Sequence, residues 1–470
     1  MKSHKEILDE FLVFEKENNY LDWEIDSVPI WELLRTIVFT KLSSKLVNNT
    51  VVERNNKEGS RVKLFFNIVY NSIFHNPFFT FEKKDIIILN HPRRKFNKGF
   101  FEDIYIDNLL PSLGNKYVLL EGFVSHNLAH LKPIRPTNLF YLDIIQFTGS
   151  FISKNRKKKL SVKHKEDIKN LEHLILKTWG VKINNLENEI CIIIKKWIFT
   201  KKCVEKLIVK ISPKLLINVV SYSFINQVFN FVAKGKKIPV IELQHGTVGR
   251  YHINYNFNIP KGKELKTFPN YFLSWGKGWT ENSRLPLLKN NIIETGYPHI
   301  NIFRKDIQNI RNPKQIVFIS QVREDIAYFT EEVAKILPTF KIIFKAHPVE
   351  YSFAKSKYSL ILKSKNIEII TNDNKNLYHL FNESSAVFGV YSTALIEALA
   401  FCPKVGIIKL SGWEYFEDLE ESNNLKFVNS QNDVKKFILN VEHNKNNCKN
   451  NYYFEDNSQE RIIDFLNKYL

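Results

Sequence analysis

From Lys84 onward, short apolar runs alternate with longer amphipathic stretches, the rhythm of a parallel β-sheet with crossover helices. The runs DIIILN (85–90), KYVLLEG (116–122), NLFYLD (138–143), KLLINVV (214–220) and IPVIELQ (238–244) predict a first series of strands. A long charged helical region over 162–210 separates the third from the fourth. YFLSWG (271–276), QIVFIS (315–320), FKIIFKAH (340–347), IEII (367–370), AVFGV (386–390) and KVGII (404–408) predict a second series, spaced by helices such as EDIAYFTEEVAKIL. Before Lys84 the period is helical, with Trp23, Trp31, Leu34 and Ile37 at mixed helical spacing. The polar stretch VNNTVVERNNKEGS is expected to link two helices, and SQERIIDFLNKYL to form a last helix that packs back on the first unit. The expected organisation is a helical region (1–83), two Rossmann-like domains (84–260 and 261–450) and a closing helix (451–470). The fold class is α/β, with two doubly wound domains facing across a cleft.

Composition narrows the function. The 470 residues are 44% hydrophobic and 13% aromatic, enough for substantial cores and unlike a disordered chain. Lys plus Arg number 68 against 49 Asp plus Glu, a net +19 that favours anionic partners. The basic residues are dispersed and match no nucleic-acid-binding signature, so no nucleic-acid partner is expected. The run Lys154 to Lys159 reads as a solvated loop. Cys191, Cys203, Cys402 and Cys448 lack CxxC spacing and nearby histidine pairs, so neither a metal nor a disulfide framework is expected. The charged N-terminus lacks the apolar core of a signal peptide, and no run approaches the ~18 apolar residues of a membrane span. VKLFFNIVYNSIFHNPFF (62–79), interrupted by Asn67, Asn71, His75 and Pro77, reads as an amphipathic helix packed on the protein, with a membrane surface as the alternative.

In open α/β sheets, ligands bind beyond the carboxyl ends of the strands, so polar residues there are the candidates. IPVIELQHGTVGR ends a strand on His245, a candidate general base for an acceptor hydroxyl. Gly246 removes a side chain so that a ligand or the other domain can approach. Gln244, Arg250, His252 and Tyr255 are expected to frame the acceptor. FKAHPVE places Lys345 and His347 after a strand, and Pro348 disfavours helix at His347. The ring can donate an N–H to a donor phosphate, and Lys345 can add charge. In VFGVYSTALIEALAF, Ser392 and Thr393 fall where a helix N-cap belongs, suiting a phosphate, with Glu397 a turn further toward a ribose. ISQVRED offers Arg323 as a second phosphate contact, against the simpler account of a surface ion pair with Glu324 or Asp325.

QHGT, KAHP and YSTALIEALA, with FLSWGKGW and IIETGYP between them, resemble the GT-B transferases of bacterial surface-polysaccharide assembly. These include capsule glycosyltransferases, polysialyltransferase-like enzymes and the CDP-glycerol glycerophosphotransferases of teichoic acid synthesis. The likeness spans roughly 85–410, and IWELLR and RRKFNKGFFEDIYIDNLL look like capsule and lipopolysaccharide proteins. It implies a base or acceptor contact at His245 and donor-phosphate binding at His347, Ser392 and Thr393. Gln244 stands where the phosphotransferases carry a tryptophan.

The expectation is a metal-independent glycosyltransferase with no cofactor. A nucleotide-sugar donor would be its substrate and an oligosaccharide or lipid-linked acceptor of capsule or lipopolysaccharide its partner. It would be cytoplasmic and peripheral on the inner face of the cytoplasmic membrane. The alternatives are polyol-phosphate transfer and a non-catalytic scaffold on the same fold. An epimerase would need paired acids or bases around one sugar carbon, and no such pair stands out along the chain.

Overall fold

The apolar runs form two parallel sheets, and their strand order determines where ligands can sit. The computed structural model describes residues 2–46, 61–79, 82–91, 94–97, 99–123, 130–136, 138–155, 158–260, 262–307, 310–372, 374–419, 421–422, 424–440 and 451–470. Cys448, the whole of the expected 47–60 linker and part of the Lys154–Lys159 run lie outside them.

In chain order the strands are β1 Ile86–Leu89, β2 Lys95–Asn97, β3 Phe100–Glu102, β4 Tyr117–Glu121, β5 Leu139–Tyr141, β6 Leu215–Asn218, β7 Val240–Leu243, β8 Tyr271–Ser274 and β9 Ile292–Glu294. They continue as β10 Asn312–Ile319, β11 Lys341–Lys345, β12 Ile367–Ile370, β13 Ser384–Gly389, β14 Val405–Ile408 and β15 Leu425–Val428. The first sheet has seven strands in the order β5-β4-β1-β6-β7-β8-β9, and the second has six in the order β12-β11-β10-β13-β14-β15. Every pairing in both is parallel. Strands β2 and β3 form a separate antiparallel pair.

Numbered by their own order along the chain, the first six strands of each sheet run 3-2-1-4-5-6, the doubly wound order. The winding reverses between β1 and β6 in the first sheet and between β10 and β13 in the second. Strands β1, β4, β6 and β7 are buried at every position, which is why they read as continuous apolar runs instead of alternating ones.

One expected boundary moves. YFLSWG was assigned above to the second series, yet β8 pairs with β7, Ile241 opposite Tyr271, and β9 pairs with β8. The first sheet therefore continues to Glu294, past the expected break at 260/261. The physical reason is an edge: β7 would otherwise expose unpaired backbone groups, and the apolar run at 271 pairs with it.

The N-terminal helices His4–Glu17 and Ile30–Leu46 join the core that covers the first sheet. The IWELLR segment has a structural use. Buried Arg35 pairs with buried Glu15 at 2.7 and 2.8 Å and also donates to the Ile253 and Asn256 carbonyls at 2.6 and 3.0 Å. Glu32 accepts from the backbone N–H of Lys266 and Thr267 and from the Thr267 hydroxyl. These bonds hold the loop that carries Tyr255. At the other terminus, helix Ser458–Asn467 lays Ile462, Phe465 and Leu466 on the first sheet.

Helix Arg61–Phe74 packs through one face on helix Asp143–Asn155 and β5, as an amphipathic helix should. It buries Ile68 and Asn71 but leaves Phe66, Tyr70, Ile73 and Phe74 each more than half exposed. Among the described residues no helix is long and apolar enough to cross a membrane.

Candidate active site

The carboxyl ends of the first sheet's switch-point strands open onto one cavity. Asn90 and His91 follow β1, Tyr222 and Ser223 follow β6, and His245 follows β7. With Gly122, Gln146, Lys196 and Thr200 they line a space of about 320 Å³. A Cβ at Gly122 would lie 2.7 Å from Gln146 Oε1, which accepts the Phe123 N–H at 2.9 Å, so a larger residue here would displace the Gln146 side chain.

His245 is held from both sides. The Tyr255 hydroxyl donates to Glu242 Oε1 at 2.7 Å and lies 3.3 Å from His245 Nδ1, while the Tyr222 hydroxyl lies 3.1 Å from Nε2. One arrangement satisfies all three contacts. Nδ1–H donates to the Tyr255 oxygen, Tyr255 donates to Glu242, and the Nε2 lone pair accepts from Tyr222. That tautomer leaves the basic nitrogen on the side of the cavity-lining tyrosine. Burial pushes Glu242 up to about 7 against the pull of Ser221 and Tyr255, and raises Tyr255 well above the usual phenol range. His91 stacks on His245 with ring centroids 6.0 Å apart, so two imidazoles share the cavity wall.

Below the cavity lies a polar network from the RRKFNKGFFEDIYIDNLL segment and its neighbours. Asp103 accepts from the His91 and Tyr105 backbone N–H groups at 3.0 and 2.9 Å, and the Tyr105 hydroxyl donates to the His245 carbonyl at 2.8 Å. These bonds tie the end of β1 to the end of β7. Burial, reinforced by Asp107, pushes Asp103 up to about 7. Buried Glu121 holds Arg94 at 2.8 Å and His130 at 2.8 Å, and His130 also meets Asp143 at 2.8 Å. Burial opposes charge on His130, but its bonds to Asp143 and Glu121 outweigh that and raise it above the usual histidine value. These charges are paired with one another, which suits a rigid floor.

Across the cleft, the Thr393 hydroxyl meets the Thr247 hydroxyl at 3.1 Å, so the YST and QHGT motifs touch directly. Ser392 caps helix Thr393–Ala398, accepting from Ala394 N at 3.3 Å. Exposed His347 accepts the Val349 N–H on Nδ1 at 3.3 Å, which places the neutral ring's proton on Nε2. Its own N–H is held by buried Glu350, which also takes the Ser320 hydroxyl at 2.6 Å and so joins the loops after β10 and β11. In the loop after β10, Val322 adopts φ 65°, a strained setting for a β-branched residue, while Gln321 accepts the Tyr391 N–H at 3.0 Å.

Several expected contacts are engaged elsewhere. Lys345 is buried, and its ammonium donates to the Tyr351 hydroxyl at 2.6 Å and the Asn372 carbonyl at 2.5 Å. Arg323 grips Asp325 and the Ser411 carbonyl, the ion-pair account. Glu397 accepts from the buried Tyr378 hydroxyl at 2.8 Å. Gln244 is buried and joins Gly246 O and Trp275 N at 2.8 Å each, bracing the β7–β8 turn. His252 packs against Tyr255 at 4.9 Å, and burial lowers it to about 4. Arg250 binds Asp418 through its backbone N–H at 3.2 Å. Tyr255 acts on His245 itself. A Cβ at Gly246 would meet nothing within 4 Å, so the other domain does not fill that space.

Asn90, His91, Tyr222, Glu242, Lys196 and Thr200 are the site residues that sequence reasoning missed. His91 carried a usable signal, since NHP after β1 repeats the strand-histidine-proline of AHP after β11. Among the described residues, no group of three His, Cys, Asp or Glu side chains is arranged to hold a metal ion. Cys191, Cys203 and Cys402 are free thiols.

No family model matches this chain, and no curated protein matches it. Solved structures similar to it include the UDP-GlcNAc 2-epimerase of Neisseria meningitidis bound to UDP-GlcNAc, at 13% identity and TM-score 0.44, covering 82% of this chain and 99% of that one. The UDP-GlcNAc 2-epimerase of Methanocaldococcus jannaschii is similar at 15% identity and TM-score 0.46, covering 82% and 99%. The wall teichoic acid polymerase TagF is similar at 13% identity and TM-score 0.39, covering 87% and 92%.

Proposed function

We propose that the chain is a glycosyltransferase of bacterial surface-polysaccharide assembly, moving a sugar from a nucleotide-activated donor to an acceptor hydroxyl in the cavity beside His245. The observation that carries this reading is the Glu242–Tyr255–His245 chain, which orients a basic ring nitrogen toward the cavity at the cleft. As the acceptor hydroxyl takes the place of the Tyr222 hydroxyl beside it, Nε2 takes the acceptor proton, the acceptor oxygen bonds to the anomeric carbon, and the bond from that carbon to the nucleotide phosphate breaks. His347 Nε2–H and the Ser392–Thr393 turn receive the phosphate charge. The charge on Lys345 and Arg323 is held by other partners in this arrangement.

The acceptor would be an oligosaccharide or a lipid-linked chain, and the protein would sit on the inner face of the cytoplasmic membrane. Support comes from the aromatic face of helix Arg61–Phe74, extended by exposed Phe151 of helix Asp143–Asn155, on a chain of net charge +19.

The test is a thermal-shift and calorimetric panel of CMP, CDP, UDP, GDP and their sugar or glycerol conjugates, on wild type, His347→Ala and Ser392→Ala. One nucleotide class should stabilise the wild type and lose affinity in both variants. A response to CDP-glycerol alone would move the reading to polyol-phosphate transfer, and silence across the panel would leave a scaffold.

A second reading, epimerisation of a bound nucleotide sugar, is favoured by the His91–His245 pair, which supplies two proton-transfer groups on one wall. It predicts solvent deuterium at a sugar carbon without any acceptor. The transferase predicts none.

A further inference from the structure

The cavity beside His245 has a second, cationic end. Lys196 and Thr200 stand four residues apart on helix Leu186–Ile211, so both project from one face. The Lys196 ammonium lies 4.6 Å from the centre of the Phe224 ring. Burial lowers its pKa, and among the described residues no acid offsets that effect. Thr200 is 1% exposed and its Oγ1 has no hydrogen-bond partner. A buried hydroxyl left in that state costs about 1–3 kcal/mol. Helix Asp143–Asn155 approaches closely here: a Cβ on Gly149 would stand 3.3 Å from Thr200 Oγ1.

Two further features belong to the same wall. Helix Phe224–Gly235 begins at the cavity, which Phe224, Ile225 and Asn226 line, so its partial positive charge faces the same space. Asn90, buried, spends its Nδ2 on Glu121 at 3.0 Å and keeps an Oδ1 with no partner. The groups on this wall thus divide by kind. Lys196, Thr200 and the start of the Ser223-capped helix offer positive charge and donors, and Asn90 offers an acceptor.

We propose that this end of the cavity binds an oxyanion carried by the acceptor, a carboxylate or a phosphate ester, so that the enzyme selects an acidic sugar. Lys196 pairs with the anion, Thr200 donates its hydroxyl to it, and Asn90 Oδ1 accepts from a sugar hydroxyl. An ammonium without a counter-charge is costly in a poorly solvated wall, and a neutral sugar leaves that cost in place. An oxyanion removes it. At about 320 Å³ the cavity lies at the small end of the roughly 300–1,000 Å³ of ligand sites, which suits a terminal residue.

This inference rests on the transferase reading, so the experiment measures both. Ligand-observed NMR would compare glucuronate, glucose 6-phosphate and glucose on wild type, Lys196→Met and Thr200→Val, with nucleotide binding measured on the same samples. The wild type should hold one charged probe at least about tenfold more tightly than glucose. Lys196→Met should lose that preference while keeping nucleotide binding, and Thr200→Val should reduce it. Lys196→Gln replaces Lys196→Met if the latter does not fold. The charged probe that binds better tells carboxylate from phosphate. A Lys196-dependent preference without nucleotide binding upholds the anion site and sinks the transferase reading. Equal binding of charged and neutral probes, no binding of either, or a preference that survives in Lys196→Met overturns the proposal.

Discussion

The two sheets repeat one strand order, yet the residues at their switch points are used in opposite ways. In the first, the charged and polar groups beneath the surface are spent on holding His245 and His91, and a cavity with unsatisfied groups remains above them. In the second, Lys345, Arg323 and Glu350 are spent on joining loops to one another. Thr393 meets Thr247 across the cleft, beside the capping Ser392, and His347 is exposed. A formal charge at a strand end is therefore a poor guide to ligand binding when a partner lies within reach. A histidine fixed by a buried acid is a better one.

The largest effect that would break this comparison is on turnover. His245→Ala removes the base and should lower the transfer rate roughly 10²–10⁴-fold, the usual range for one general base, while nucleotide affinity stays within about twofold. Single-turnover kinetics beside calorimetry would separate the two. A variant that loses nucleotide binding instead would assign His245 to the donor and undo the division of labour between the sheets.

Much of that division was legible along the chain, and the illegible part has definite causes. Continuous apolar runs mark buried parallel strands, and His245 stands out because a polar ring closes such a run beside a glycine. The anion end of the cavity did not stand out. Lys196 and Thr200 lie inside a 26-residue helix among many other polar residues, and only the fold brings them to β1 and β6. Lys345 and Arg323 show the converse: their charge is visible in sequence, but Tyr351, Asn372 and Ser411 are not visible as partners. The break at 260/261 failed because an apolar run shows that a strand exists and not which sheet edge it joins.

A second prediction concerns pH and the acid behind His245. Glu242 ionises near 4.5 when free and is pushed up to about 7 when folded. The folded state therefore binds a proton that the unfolded chain has released between those values. Its contribution to stability is fully present below about pH 4.5 and is lost as pH rises through about 7, by roughly 3 kcal/mol at about 1.4 kcal/mol per pKa unit. Glu242→Gln should be close to wild type in stability at pH 5 and should exceed it progressively toward pH 8. Denaturant titrations at four pH values would show this as a diverging pair of curves. Parallel curves would mean that the Glu242 carboxyl is not strained by burial, and the account of why it holds Tyr255 would fall.

The smallest effect sharpens the second sheet. Lys345→Met removes an ammonium that bonds Tyr351 and Asn372, so it should destabilise the fold by about 1–3 kcal/mol, as expected for leaving buried partners unsatisfied. Nucleotide affinity should change by less than about twofold, since the ammonium is already bonded to Tyr351 and Asn372. His347→Ala should behave in the opposite sense. The ring is exposed and its bond from Val349 N is local and long at 3.3 Å, so unfolding should move by less than about 0.5 kcal/mol. Nucleotide affinity should fall about tenfold, the worth of one charge-assisted bond to phosphate. Melting curves and calorimetry on the two variants form a two-by-two comparison. If Lys345→Met weakens the nucleotide as much as His347→Ala does, the lysine turns toward the donor when the cleft fills, and the second sheet is then as charged at its working surface as the first.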